Sequence, residues 1–233
     1  MKLLAGTSGY SYKEWLGHFY PEKLPATEML RYYAERFATV EINNTFYRMP
    51  PEAMLAQWLT QVPETFTFTL KAPRRITYDK RLLDVESLAA EFLRRAAILG
   101  DRLGVVLFQL PHYLKKDLPR LRAFLELLPA GGRVAFEFRN DTWHGDDVFD
   151  ALASRNAMLC GTDTDEGETP FVSTSDWGYV RLRRTFYDDA DLDRWAARIA
   201  AKGLSRTFVY FMHEDEALGT RFADKLMQSW GKR

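Results

Sequence analysis

The chain has 233 residues, 46% of them hydrophobic, and its 32 Lys+Arg balance 32 Asp+Glu to a formal net charge of +0. A core of useful size is therefore available, and any global attraction to nucleic acid or an anionic membrane is excluded, leaving only local patches. The lone cysteine, Cys160, rules out an intramolecular disulfide and a cysteine-rich zinc site. With no apolar run near the roughly 18 residues of a membrane span and none at Met1 to Gly6 long enough for a signal, it points to a soluble cytoplasmic protein.

Taken in chain order, apolar periodicity predicts strands over Leu3–Thr7, Thr39–Phe46, Thr65–Lys71, Leu103–Leu110, Arg133–Arg139, Met158–Asp163, Tyr179–Arg183 and Thr207–His213. Helical patterns fall between them at Thr27–Arg36, Pro51–Gln61, Val85–Leu99, Leu118–Leu128, Asp146–Arg155 and Ala190–Ala201, with a last one over Glu216–Trp230. Strand starts roughly 25 to 40 residues apart are the spacing of βα units, and eight such units predict an α/β fold, a single (β/α)8 TIM-type barrel. An open doubly wound sheet is the alternative, but Gly6-Thr-Ser-Gly9 is neither a GxGxxG nor a Walker pattern. No repeat or linker interrupts the pattern, so residues 1–233 read as one domain. The sixth unit is the weakest, because an acidic loop over Thr164–Thr169 replaces a helical pattern.

Several strands alternate apolar with polar residues although helices should cover the outside of the sheet, so the polar faces are expected to share an interior. In a barrel, the strand ends meet at one mouth, which nominates Ser8, Glu41, Asn43, Thr45, Lys71, Gln109, Glu137, Arg139, Asp163, Arg181, Arg183 and His213. Converging cations suit a small anion such as phosphate or carboxylate, because a guanidinium offers a planar fork of donors, and the ligand expected at the mouth is a small anionic one, phosphate- or sugar-bearing. An internal salt-bridge network that fills the barrel is the structural alternative. If the protein is an enzyme, Glu41 or Glu137 is assigned as general acid/base, Lys71 and Arg139 as electrostatic stabilisers and Arg181 as the anion clamp, for hydrolase, isomerase or lyase chemistry. For Lys71, an ion pair with a neighbouring glutamate is favoured over a Schiff-base role. Asn43, Gln109, Asp163, Tyr10, Tyr47 and Trp143 complete the substrate-binding candidates, the three aromatics following the first, second and fifth strands. His18, His112, His144 and His213 show no HxH or HExxH spacing, so no metal site is assigned; a divalent ion on Glu41, Glu137 and Asp163 is the residual metal reading. Neither a cofactor nor an oligomeric state is specified by any motif. The cluster Lys71, Arg74, Arg75, Lys80 and Arg81 supports a nucleic-acid-binding, repair-like alternative, with a noncatalytic sensor or scaffold as a third reading.

Gly6-Thr-Ser-Gly-Tyr-Ser-Tyr-Lys-Glu-Trp15, Gly17-His-Phe-Tyr-Pro21, the run Val40-Glu-Ile-Asn-Asn-Thr-Phe-Tyr-Arg48, Gln109-Leu-Pro111, and Glu137-Phe-Arg139 with Trp143 resemble the YecE-like family, domain of unknown function 72. The resemblance runs nearly end to end and implies a TIM-type barrel without an assigned reaction. It places the family's usual polar positions on Thr7, Glu41, Asn43, Lys71, Gln109, Glu137, Arg139, Asp163 and Arg181. The chain departs from the pattern at Tyr10, where tryptophan is common, at Tyr78, where a histidine often follows Ile-Thr, and at Arg183-Arg184, where His-Gly is frequent.

Overall fold

A computed structural model describes residues 1–213 and 215–232. Ten strands lie in two five-stranded sheets. The first sheet contains β1 (Lys2–Thr7), β7 (Gly161–Thr164), β8 (Gly167–Glu168), β9 (Gly178–Leu182) and β10 (Arg206–Phe211), in the order β1-β10-β9-β7-β8. The second runs β2 (Thr39–Ile42), β3 (Thr67–Lys71), β4 (Leu103–Leu110), β5 (Val134–Phe138) and β6 (Met158–Leu159). Every pairing is parallel except the β7–β8 hairpin. This is a mixed α/β fold with parallel sheets; among the described residues the ladder of hydrogen bonds does not run continuously around a closed barrel, so the expected barrel meets two interruptions.

Both interruptions have a physical cause. Between β1 and β2 the backbone contact is reduced to a bridge at Ser8 and Glu41, with Gly9 N–H donating to the Glu41 carbonyl at 2.8 Å. Below it the buried Tyr33 hydroxyl stands in for the ladder, accepting from Thr7 N at 2.9 Å and donating to the Thr39 carbonyl at 3.0 Å. The strands pass so closely that a Cβ on Gly6 would sit 2.2 Å from the Thr39 oxygen, which is why only glycine serves there. On the opposite side, β6 pairs with β5, Cys160 N–H reaches the Phe136 carbonyl at 2.8 Å, and the same chain continues as β7 to pair with β9. Tyr33→Phe is expected to leave Thr7 N–H and Thr39 C=O without their shared partner and to lower stability by about 1–3 kcal/mol, read by urea denaturation; an unchanged midpoint would show that backbone contact alone holds this edge.

Helices pack outside the strands. They are α1 (Met29–Ala34), α2 (Glu52–Leu59), α3 (Glu86–Ala96), α4 (Leu118–Glu126), α5 (Asp146–Ala153), α6 (Asp189–Ala201) and α7 (Leu218–Gly231), each near its predicted place. In α6, Leu192, Trp195, Ala196 and Ile199 bury one face at i, i+3, i+4 and i+7, and Asp188 with Asp191 closes its start as a reciprocal capping box. Two expectations are corrected. The strand predicted over Thr39–Phe46 ends at Ile42, because Asn43 turns into the helical region and opens a short 3-10 turn over Asn44–Phe46; Thr45 consequently caps the Ile42 and Lys71 carbonyls rather than facing a cavity. The sixth unit has the β7–β8 hairpin and irregular chain where a helix would stand. Among the described residues no helix is long and apolar enough to cross a membrane.

Candidate functional site

The polar faces of the two sheets meet in one buried network. Arg181 on β9 is 1% exposed and lies between two glutamates, with Nη2 2.7 Å from Glu41 on β2 and Nη1 2.6 Å from Glu137 on β5. Glu41 also accepts from Ser8 Oγ at 2.6 Å and from the Tyr179 hydroxyl. Glu137 receives Arg183 Nη2 at 2.5 Å and Arg139 Nε at 3.3 Å. One layer below, the Tyr210 hydroxyl bonds the hydroxyls of Thr39 and Thr69 at 2.6 and 2.8 Å, again joining one sheet to the other.

Burial opposes ionisation of both glutamates, but their partners outweigh it. Arg181, with Ser8 and Tyr179, holds Glu41 below its ordinary 4.5, and Arg183, Arg181 and Arg139 hold Glu137 well below. Carboxylates pinned in the charged form are poor general acids. Both glutamates thus hold charge in this arrangement, and Arg181, expected as the anion clamp, has Nη1 and Nη2 on them. The residual metal reading also loses its geometry, since Arg181 separates the two glutamates. Among the described residues no group of three His, Cys, Asp or Glu side chains is placed to hold a metal ion.

Lys71, half-buried at the end of β3, departs from expectation in the other direction. Instead of an ion pair it places Nζ 4.0 Å from the centroid of the Phe46 ring. Desolvation, with Arg181 and Arg139 nearby, outweighs the attraction of Glu137 and Glu41 and brings its pKa from 10.5 down to about 8. Phe46 also meets the Tyr47 and Tyr78 rings edge-on, at 5.2 and 5.1 Å. A π-helical turn over Arg75–Asp79 carries Tyr78 to this place, where its hydroxyl donates to Gln109 Oε1 at 3.1 Å. Gln109 is beside Glu137 in the β4–β5 register.

A cavity of about 770 Å³ opens at the carboxyl ends of β5, β7 and β9, with Glu137, Arg139, Thr162 and Arg183 among its lining residues. Acidic residues of the 165–168 segment stand on its outer wall, but Asp165 is taken up by Thr185 and Glu168 by Arg198. Exposed wall charges act through water, where a unit pair at 4 Å is worth about 1 kcal/mol, against about 4 at the effective dielectric of a buried floor. Each charge on the floor therefore weighs more than each carboxylate of the wall, where Asp141, Asp165, Glu166 and Glu168 stand. On the floor, among the described residues, the buried Glu137 faces the guanidiniums of Arg139 and Arg183, whereas Glu41, Arg181 and Lys71 lie behind the lining.

Glu41, Glu137, Lys71, Gln109, Arg139 and Arg181 are brought together as the alternation predicted. Asn43 and Tyr10 line a separate cavity of about 170 Å³, and the Oδ1 of Asn43 is buried without a hydrogen-bond partner among the described residues. Tyr47 stands on the rim, 75% exposed. Three placements are corrected. Asp163 turns to the outer face, taking the Trp195 indole N–H at 3.0 Å and Arg184 at 3.3 Å, because the β7–β9 register sets Thr162, not Asp163, opposite the inward Arg181. His213 likewise leaves the interior for the rings of Tyr187 and Phe222, since Tyr210 and Met212 hold the inward phase on that strand. Trp143 is wholly buried, stacked on Phe138 at 4.7 Å with its N–H on the Leu114 carbonyl, which makes it core rather than a ligand platform. Phe46, Tyr78, Tyr179 and Tyr210 were not nominated. Tyr179 had a readable signal, since it shares the face of Arg181 and Arg183 at period 2.

Parallel α/β sheets enclosing a buried, arginine-bridged interior define the class of the molecule. A family model described as "Protein of unknown function DUF72" matches residues 4–233, and the chain belongs to that family. It is similar to the UPF0759 protein YunF of Bacillus subtilis (strain 168), with 27% identity over 150 residues, covering 60% of this chain and 53% of that protein; the match spans about half the length of that relative. Two solved DUF72 family proteins share the fold. One, from Thermotoga maritima MSB8, has a TM-score of 0.77 at 24% identity, covering 100% of this chain and 98% of the other. The second, from Enterococcus faecalis V583, has a TM-score of 0.79 at 18% identity, covering 99% and 98%.

Proposed function

We propose that the protein binds a small anionic ligand, phosphate- or carboxylate-bearing, at the carboxyl-end mouth of a single-domain (β/α)8 barrel, and that hydrolase, isomerase or lyase chemistry at that mouth runs on Lys71 rather than on the glutamates. Closure of the two sheets into one barrel is supported by the Ser8–Glu41 bridge, by the Tyr33 hydroxyl between β1 and β2, and by the segment 158–164, which pairs first with β5 and then with β9. The polar contacts that cross from sheet to sheet at Glu41, Arg181 and Glu137 fit the same reading.

The observation that carries the anion reading is the surplus of donors at the floor. Nε of Arg183, which lines the cavity, is buried without a hydrogen-bond partner among the described residues. Arg139 adds a guanidinium that is 40% exposed toward the cavity. Donors in such excess match a ligand made of acceptors, and anionic oxygens most of all. Arg139→Met is expected to weaken phosphate or carboxylate binding about 10- to 100-fold, the worth of one charge-assisted hydrogen bond of roughly 1.5–3 kcal/mol, read by isothermal calorimetry. Undiminished affinity would remove Arg139 from the site. Binding of oligonucleotides alone, lost as salt rises, would instead favour the exposed Arg74, Arg75, Lys80 and Arg81 as a nucleic-acid surface.

A further inference from the structure

Resting on the anion reading above, we propose that Lys71 is a nucleophilic amine which condenses with the carbonyl group of an anionic ketone or aldehyde to form an iminium ion. The argument begins with what Lys71 lacks. Glu41 and Glu137 share its interior, yet Arg181, Arg183 and Arg139 take both carboxylates, and among the described residues none is left within ion-pair distance of the lysine. Its nitrogen rests instead on the face of Phe46 at 4.0 Å. The ring face attracts an ammonium but replaces little of its water shell, and burial beside the guanidiniums of Arg181 and Arg139 shifts the balance toward the neutral amine. The strand below is fixed as well, since Thr45 Oγ1 donates to the Lys71 carbonyl at 2.7 Å.

Arg139 and Arg183 supply the second half of the recognition. Lys71 stands behind the lining of the 770 Å³ cavity, near enough to Arg139 to feel its charge, so a substrate whose carboxylate or phosphate meets Arg139 and Arg183 would extend its carbon chain past Arg139 to reach the amine. The neutral amine attacks the carbonyl carbon, forming a carbon–nitrogen bond. The carbonyl oxygen leaves as water with the two amine hydrogens, and the nitrogen takes up one proton, so that ammonium and carbonyl become iminium and water. The iminium withdraws electrons from the adjacent carbon, which fits isomerase or lyase chemistry and gives no advantage to simple hydrolysis. Glu41 and Glu137, held ionised, stabilise the cation that results.

Reductive trapping tests the step. The protein is incubated with pyruvate or with dihydroxyacetone phosphate in the presence of cyanoborohydride, and its peptides are mapped by mass. The expected result is a gain on the Lys71 peptide equal to the probe less one oxygen atom, absent from Lys71→Arg protein whose circular dichroism matches the parent. Failure to label Lys71 with either probe, or labelling no faster than at the exposed Lys115 and Lys116, overturns the inference. Calorimetry with inorganic phosphate separates the two levels: binding without an adduct defeats the iminium alone, whereas loss of both defeats the anion reading as well.

Discussion

Arg181→Met is expected to lower stability at pH 7 by about 3–5 kcal/mol, the usual result of removing one partner from a buried ion pair, and to lower Tm by roughly 6–20 °C at the roughly 2–4 °C per kcal/mol of a chain this size. The loss falls unequally. Glu137 keeps Arg183 and Arg139, but Glu41, 0% exposed, retains among the described residues the hydroxyls of Ser8 and Tyr179. In the parent, Glu41 titrates below 4.5, so its contribution is present above the unfolded pKa and is lost as pH falls through the folded one. Without Arg181 the balance inverts. Burial then raises the folded pKa above the unfolded one, the folded state holds the extra proton, and the variant becomes less stable as pH rises. Its deficit should therefore narrow on going from pH 7 toward 4.5, and a second change, Glu41→Gln, should recover part of the loss at pH 7 by removing the uncompensated charge. Urea denaturation of the three proteins at pH 5 and 7 checks both statements. A loss under about 1 kcal/mol, or a deficit independent of pH, would show that the interior is wet enough to solvate Glu41.

The legibility of this site in the sequence followed the strength of the strand signal. Where apolar residues alternate cleanly, as in Val-Glu-Ile around Glu41 or Ala-Phe-Glu-Phe-Arg around Glu137, the inward phase is set by the residues themselves, and Glu41, Lys71, Glu137 and Arg181 fell where the alternation put them. At Cys160-Gly-Thr-Asp-Thr164 no apolar partner fixes the phase, the chain changes sheets within a few residues, and Asp163 was assigned to the wrong face. His213 failed for a related reason, lying past the end of the last strand. Partner choice was less legible than face. Periodicity says that Arg181 and Glu137 point inward, but only the closing together of β5 and β9 brings them to 2.6 Å, leaving Lys71 with a ring in place of a carboxylate. Trp143 illustrates the limit for aromatics: its place after a strand suggested a ligand platform, whereas the Leu114 carbonyl and the Phe138 ring made a better-satisfied burial for the indole.

Lys71→Met should make the protein more stable at pH 7, by about 1–3 kcal/mol, while abolishing reductive trapping and weakening anion binding. Methionine keeps an unbranched chain on Phe46 and removes a charge that the site solvates poorly. The pH dependence gives this account its sharpest form. Lys71 titrates near 8 in the folded protein against an ordinary 10.5, so between these values the unfolded chain binds the additional proton. The parent consequently gains stability as pH rises from about 8 to 10.5, and below 8 it carries the full penalty of a poorly solvated ammonium. Relative to the parent, the variant's advantage should be constant below about pH 8 and should vanish by about 10.5, as followed by urea denaturation across that range. A ligand anion acts in the same place with the opposite sign: it stabilises the ammonium, raises the lysine pKa and should be bound with uptake of a fraction of a proton near pH 8. Destabilisation by Lys71→Met at pH 7 would mean that the ammonium is well solvated after all, and would withdraw the lysine from both roles. A gain in stability together with a loss of binding and trapping is the pattern expected when a strained group is retained at a functional site.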